Sequence, residues 1–174
     1  NVGDRLIVAD GLLIPFVDAA KVIESEYFTE KPLFKGSDLA GAVAKHCLHD
    51  KGYEFDVPML AGDFVTTDAG TGFVHIAPGH GEDDYRLVLK HNQNNPDSKV
   101  EIPHTVAGDG KYFDSVPLFA GLSVYMPDGK KGPANKLVMN AIAEAGNLVA
   151  KGQIQHSYPH SWRSKAPVIF RNTP

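Results

Sequence analysis

The sequence predicts a mixed α/β domain, built on a mixed sheet or barrel and not on a doubly wound sheet. Three observations carry this. Strand-like and helix-like patterns are interspersed without regular βαβ spacing. Gly- and Pro-containing breaks cut the first half of the chain into short apolar runs. One helical pattern, over 133–145, stands clear of the rest.

Taken in order, Arg5–Ala9 and Leu12–Ile14 are apolar runs split by Asp10-Gly11, a dipeptide that favours a hairpin. Pro15 suits a first helical turn, and Phe16, Ala19, Ala20 and Ile23 recur at helical spacing, so 15–26 reads as a helix. Residues 33–67 read as strand-rich, broken at Lys35-Gly36, Lys51-Gly52 and Gly62-Asp63. Phe73–Ala77 is a short strand ending at Pro78. From Glu82 a helical pattern runs through Tyr85, Val88 and Leu89 to about His91, followed by a polar, Pro-containing loop over 92–99. Pro133–Ala145 places Leu137, Val138, Ala141, Ile142 and Ala145 on one face, with Gly146 as its stop. Leu148–Gln155 and Val168–Phe170 close the chain as strands.

The 174 residues are 43% hydrophobic and 22% charged, the composition of an ordinary globular domain. No apolar run approaches the ~18 residues that a membrane span needs, and no secretory signal opens the chain. The single Cys47 excludes an intrachain disulfide framework and a multi-thiolate zinc site, and fits a reducing, intracellular compartment. The net charge of −4 is uneven: residues 1–128 hold 10 basic and 20 acidic side chains, whereas 129–174 hold 7 basic and only Glu144. A basic end of this kind suits a phosphate backbone or an acidic neighbouring domain, or is simply a solvated positive face. The opening Asn1-Val2-Gly3-Asp4 and the closing Arg171-Asn172-Thr173-Pro174 create the expectation of a domain excised from a longer chain.

Chemistry concentrates in Gly70-Thr71-Gly72-Phe73-Val74-His75-Ile76-Ala77-Pro78-Gly79-His80-Gly81-Glu82-Asp83-Asp84-Tyr85. A strand carries His75, a Gly-Pro turn carries His80, and a helix opens on three carboxylates. Acids in a first helical turn are favoured by the macrodipole, so Glu82, Asp83 and Asp84 also read as plain N-terminal acids. His75, His80 and Asp84 are acceptable zinc ligand types, but their spacing matches no helical metal motif, and no metal is expected. Cys47 lies in a plain stretch, no Gly-x-Ser-x-Gly elbow exists, and no Gly-x-x-x-x-Gly-Lys phosphate loop occurs.

The same segment resembles the signature of the editing domain inserted into the class I synthetases for isoleucine, valine and leucine. The shared pattern is Gly70-Thr71-Gly72-Phe73-Val74, then Pro78, His80 and Asp84. His75 and Gly79-His80-Gly81-Glu82-Asp83-Asp84 resemble the isoleucyl type; the valyl type usually has Lys in place of His75. His156-Ser157-Tyr158-Pro159-His160-Ser161-Trp162-Arg163 and Pro167-Val168-Ile169-Phe170-Arg171 are similar to the isoleucyl segment that returns to the synthetic core, and Asp56-Val57-Pro58 also fits.

The resemblance implies a β-barrel-like editing domain with surrounding helices, occupying 1–174 as a single domain. It implies hydrolysis of valine wrongly attached to the isoleucine tRNA. Asp84 would pair with the α-ammonium of the aminoacyl group, and His75 would line the side-chain pocket and set its size. Gly70, Thr71, Gly72, Phe73, Val74, Pro78, Gly79, His80, Gly81 and Asp83 would form the wall around the terminal adenosine and the ester, with His80 a hydrogen-bonding member of the turn and not a general base. No cofactor is implied in this domain; ATP and magnesium belong to the synthetic domain of the parent. The implied partners are the valine-charged acceptor end of the isoleucine tRNA and the remaining domains of a monomeric, cytoplasmic synthetase. The family's threonine-rich peptide and its two ATP-site motifs have no match in this sequence. A second reading therefore stands beside the first: a half-site that binds the aminoacyl-adenosine end without hydrolysing it.

Overall fold

Helix α3, Pro133–Glu144, shows how local sequence writes structure here. Pro133 occupies its first position, where a missing N–H costs nothing, and Gly146 follows it with a φ of +74°. The computed structural model describes residues 3–23, 26–27, 29, 34–153, 155 and 157–173. Among these, α1 spans Leu13–Ala20 and α2 Glu82–Asn94, while β1 (Val43–Lys45) and β2 (Asp56–Pro58) pair antiparallel with Ala44 opposite Val57. The protein is thus mixed α/β.

The start of the chain departs from expectation. Asp10–Leu12 is a 3-10 turn that feeds directly into α1, not the bend of a hairpin. Leu12 donates its N–H to the Ala9 carbonyl at 2.8 Å, and Pro15 falls in the first helical turn, where it needs no donor. The helix also stops at Ala20, short of 26. Lys21 takes a left-handed φ of 57°, and the Val22 N–H returns to the Val17 carbonyl at 3.0 Å, the pattern of a Schellman stop. Glu24 and Ser25, in the expected continuation, lie outside the described residues.

Helix α2 begins at Glu82 as expected but runs to Asn94, beyond His91. Its last turn is held from outside: the Asn92 side-chain amide donates to the Val100 carbonyl and accepts from the Val100 N–H, both at 2.8 Å.

No closed barrel forms among the described residues. Each strand of the one sheet has three residues, and the other ladders are single bridges: Val106 with Tyr112, Lys111 with Ser123, Tyr125 with Lys131, His160 with Pro167. The 33–67 stretch does hold both strands, β1 and β2, but the rest of its described residues are turns and irregular backbone, including a 3-10 turn at Gly36–Leu39; Leu33 lies outside the described residues. Phe73–Ala77 and Val168–Phe170 form no strand, nor do the described residues of 148–155, Ile154 lying outside them.

The chain divides into two compact units. The first comprises Asn1–Ala40, Ala61–His75 and Val149–Gln153, with Leu12 and Val17 buried. The second comprises Gly41–Leu60, Ile76–Leu148 and Ile154–Pro174. Its core is Leu48, Val116 and Phe119, packed by Tyr53, Tyr112, Leu122 and, from the predicted face of α3, Val138, Ala141, Ile142 and Ala145, whereas Leu137 of that face stays exposed. Val88 of α2 and Ala134 of α3 are also buried. No helix among the described residues is long and apolar enough to cross a membrane.

Candidate functional site

The signature divides between the two units: Gly70 to His75 belong to the first, Ile76 to Tyr85 to the second.

In the first unit, Gly-Thr-Gly is pinned to Ala9. The Ala9 N–H donates to the Thr71 carbonyl at 2.8 Å. Gly72 has a φ of +84°, and a β-carbon there would sit 2.7 Å from that of Ala9, so both conformation and space demand glycine. The Thr71 hydroxyl lies 3.3 Å from both the N and O of Phe73. Thr71 and Phe73 line a cleft of about 210 Å³ with Leu6, Ile7, Val8, Phe16 and Val149. Its lining is apolar apart from Thr71. Val74 and His75 are exposed and do not line it, and His75 has no hydrogen bond among the described residues.

In the second unit, the Pro78–Gly81 turn is bracketed by two distant segments. His80 Nδ1 lies 2.9 Å from the Phe170 carbonyl, which can only accept, so Nδ1 carries the ring proton. Nε2 lies 2.9 Å from Thr105 Oγ1 and, in the neutral ring, accepts that hydroxyl's proton. With both nitrogens engaged, the imidazole is an anchor and not a free base. The Asn172 N–H donates to the Gly79 carbonyl at 2.7 Å, and Arg171 Nη1 reaches His104 Nε2 at 3.3 Å.

The turn delivers Asp84 to the third position of α2. Its Oδ2 accepts the Ala77 N–H at 2.9 Å, while Oδ1 has no partner among the described residues. The carboxylate lies so close over Gly81 that a β-carbon there would fall 2.6 Å from Oδ2. Glu82 and Asp83 are exposed; Glu82 pairs with Arg86 one turn on, the usual surface pattern. Asp84 is therefore the one acid of the three drawn back over the turn, half-tied and half-available to a cation.

Sequence reasoning missed Ala9, Thr105, Phe170 and Asn172 as anchors, and the cleft's Leu6, Ile7, Val8, Phe16 and Val149. None carries a local signal, since each acts through contacts distant along the chain. Cys47 borders a separate cleft of about 620 Å³ with Lys45, His46, His49, Lys51 and Asn147. There the Asn147 amide donates to the Cys47 carbonyl at 2.7 Å, and His46 stacks on Tyr53 with ring centroids 4.7 Å apart. No group of three metal-ligand side chains converges among the described residues.

No family model matches the sequence. Among curated proteins, it is 54% identical to the isoleucine--tRNA ligase of Caulobacter vibrioides, over 99% of this chain and 17% of that protein. It is 45% identical to the isoleucine--tRNA ligase of Bradyrhizobium diazoefficiens and 44% to that of Rhodopseudomonas palustris, each over 99% of this chain and 17% of the relative. The chain thus spans about one sixth of the length of the relatives it matches.

Proposed function

Because this chain belongs to the isoleucine--tRNA ligase family, as a segment of such a polypeptide, we propose that it is the ligase's editing domain and hydrolyses valine wrongly esterified to the isoleucine tRNA. The need is physical. A synthetic pocket that accepts isoleucine gains only ~1–3 kcal/mol against a side chain one methylene smaller, a magnitude for which isoleucine against valine is the standing example. A second site must then admit valine, exclude isoleucine and cut what enters.

The observation that carries the reading is Asp84: a carboxylate braced on the Ala77 amide through Oδ2, with Oδ1 unpartnered among the described residues. In the proposed site Oδ1 holds the α-ammonium by a charge-assisted hydrogen bond, fixing the ester. His75 limits pocket size, and Phe73 and Val74 lie beside it in the chain. By the resemblance, Gly70, Thr71 and Gly72 offer backbone to the terminal adenosine, and Pro78, Gly79, His80, Gly81 and Asp83 are likewise assigned to ligand contact. Water then adds to the ester carbonyl carbon, the bond to the ribose oxygen breaks, that oxygen takes a proton, and valine leaves as its carboxylate. The engagement of both His80 nitrogens favours a water oriented by the substrate's own ribose hydroxyl over one activated by this imidazole.

This reading needs no cofactor in the segment itself; ATP and magnesium would serve the synthetic part of a monomeric, cytoplasmic ligase. Its partners are the valine-charged acceptor end of tRNA and the rest of the same polypeptide. The test is deacylation of valine-charged isoleucine tRNA by the full ligase and by the 174-residue chain, beside binding of a non-hydrolysable aminoacyl-adenosine. Hydrolysis by the ligase that depends on Asp84 supports the proposal. Binding without hydrolysis by either protein supports the half-site reading instead.

A further inference from the structure

Trp162 is the only tryptophan of the sequence, and 77% of it is exposed. An indole left in water forfeits a large burial gain, and Trp is among the residue types most enriched where one surface covers another. The loop is ordered. Ser161 N–H donates to the Ala166 carbonyl at 2.9 Å, and Lys165 N–H to the Ser161 carbonyl at 2.8 Å. The His160–Pro167 bridge closes it, and Lys165 turns it with a φ of 58°. The Arg163 guanidinium carbon stands 5.2 Å from the indole centroid, covering part of it with a cation. After Glu144 the sequence holds no acidic side chain, while Arg163 and Lys165 sit on this loop and Arg171 follows it.

We propose that the Trp162–Arg163 loop docks onto another part of the same ligase polypeptide, into an apolar pocket rimmed by carboxylates. Two observations select that occupant. The matched relatives are about six times longer than this chain, so most of the polypeptide lies outside it. Neither Arg163 nor Lys165 forms an ion pair among the described residues, which fits an acidic rim. Trp and Arg together are also the residue types that dominate the centres of protein interfaces. The inference rests on family membership and not on the editing chemistry, and survives if that chemistry is wrong.

The experiment compares Trp162→Ala and Trp162→Phe in the full ligase and in the 174-residue chain. In the full ligase, Trp162→Ala is expected to raise protease cleavage beside this segment severalfold and to lower the temperature at which isoleucine activation is lost. Trp162→Phe should recover most of both, and Arg163→Glu should mimic the loss. In the 174-residue chain, the thermal midpoint should move by no more than ~1 °C, as for an exposed position. An equal loss in the chain alone would show that Trp162 packs within it and would overturn docking. A full ligase unchanged in stability but weakened in tRNA affinity would assign the indole to a nucleobase and overturn docking as well. No change in any readout would do the same.

Discussion

The Asp84 carboxylate lies over the backbone of Gly81, its Oδ2 only 2.6 Å from where a β-carbon would stand. Any side chain at 81 must move the acid that the adjoining turn has drawn into place.

Gly81→Ala is therefore expected to push Asp84 off the Ala77 amide. Overpacking at a close contact costs about 1–3 kcal/mol. Thermal unfolding of the 174-residue chain should show the loss, and deacylation by the full ligase should fall with it. Unchanged stability would mean that the carboxylate swings away freely.

Asp84→Ala in the full ligase should lower clearance of mischarged valine while leaving isoleucine activation intact. Losing a charge-assisted contact costs about 2–3 kcal/mol, on the order of a hundredfold in rate. Deacylation at the parent rate would remove Asp84 from the mechanism.

His75→Ala should loosen discrimination by size, so that correctly charged isoleucyl-tRNA begins to be hydrolysed. The readout is the ratio of isoleucine to valine release. A mutant that spares isoleucine as before would reduce His75 to an exposed side chain without a role in selection.

Alkaline pH should destabilise the second unit. Burial raises Tyr53 above its ordinary 10.0, with repulsion from Tyr112 and Cys47 adding to it, and burial raises Tyr112 likewise. A group whose pKa is higher folded than unfolded contributes stability fully below the unfolded value and loses it as pH climbs through the folded one. Tyr53 donates its hydroxyl proton to the Pro117 carbonyl at 2.9 Å, a bond that ionisation removes. Stability should be flat through neutrality and drop above pH 10 as phenolate absorbance grows. Tyr53→Phe should cost about 1 kcal/mol at neutral pH and blunt the alkaline drop.

The 174-residue chain should bind whole tRNA weakly, because its first 128 residues carry twice as many acids as bases. Each phosphate neutralised contributes roughly 0.9 to the salt slope on duplex. A titration against salt should show affinity fading at physiological ionic strength; tight, salt-insensitive binding would contradict it.

What was legible in the sequence was what local chemistry decides. Helices α2 and α3 announce themselves through first-turn acids, Pro133 and Gly146, and both begin where expected, although α2 runs three residues past His91 to Asn94. The hairpin at Asp10-Gly11 did not form, since that dipeptide serves a 3-10 turn equally well when Pro15 follows in a first helical turn. The expected barrel-like sheet did not form either: ladder length depends on partners far along the chain, and the described strands stop after three residues. The site followed the same division. The density of Gly, His and acidic residues drew attention to Gly70–Tyr85, and the resemblance supplied the roles, but nothing there pointed to Thr105 or Phe170, which hold His80 from 25 and 90 positions away.

That long-range hold staples the Pro78–Gly81 turn to residues 170–172. Phe170 and Asn172 grip consecutive residues, one through a side chain and one through the backbone. The turn that opens α2 is therefore tied to 170–172 by two hydrogen bonds of 2.9 and 2.7 Å, polar contacts and not apolar packing.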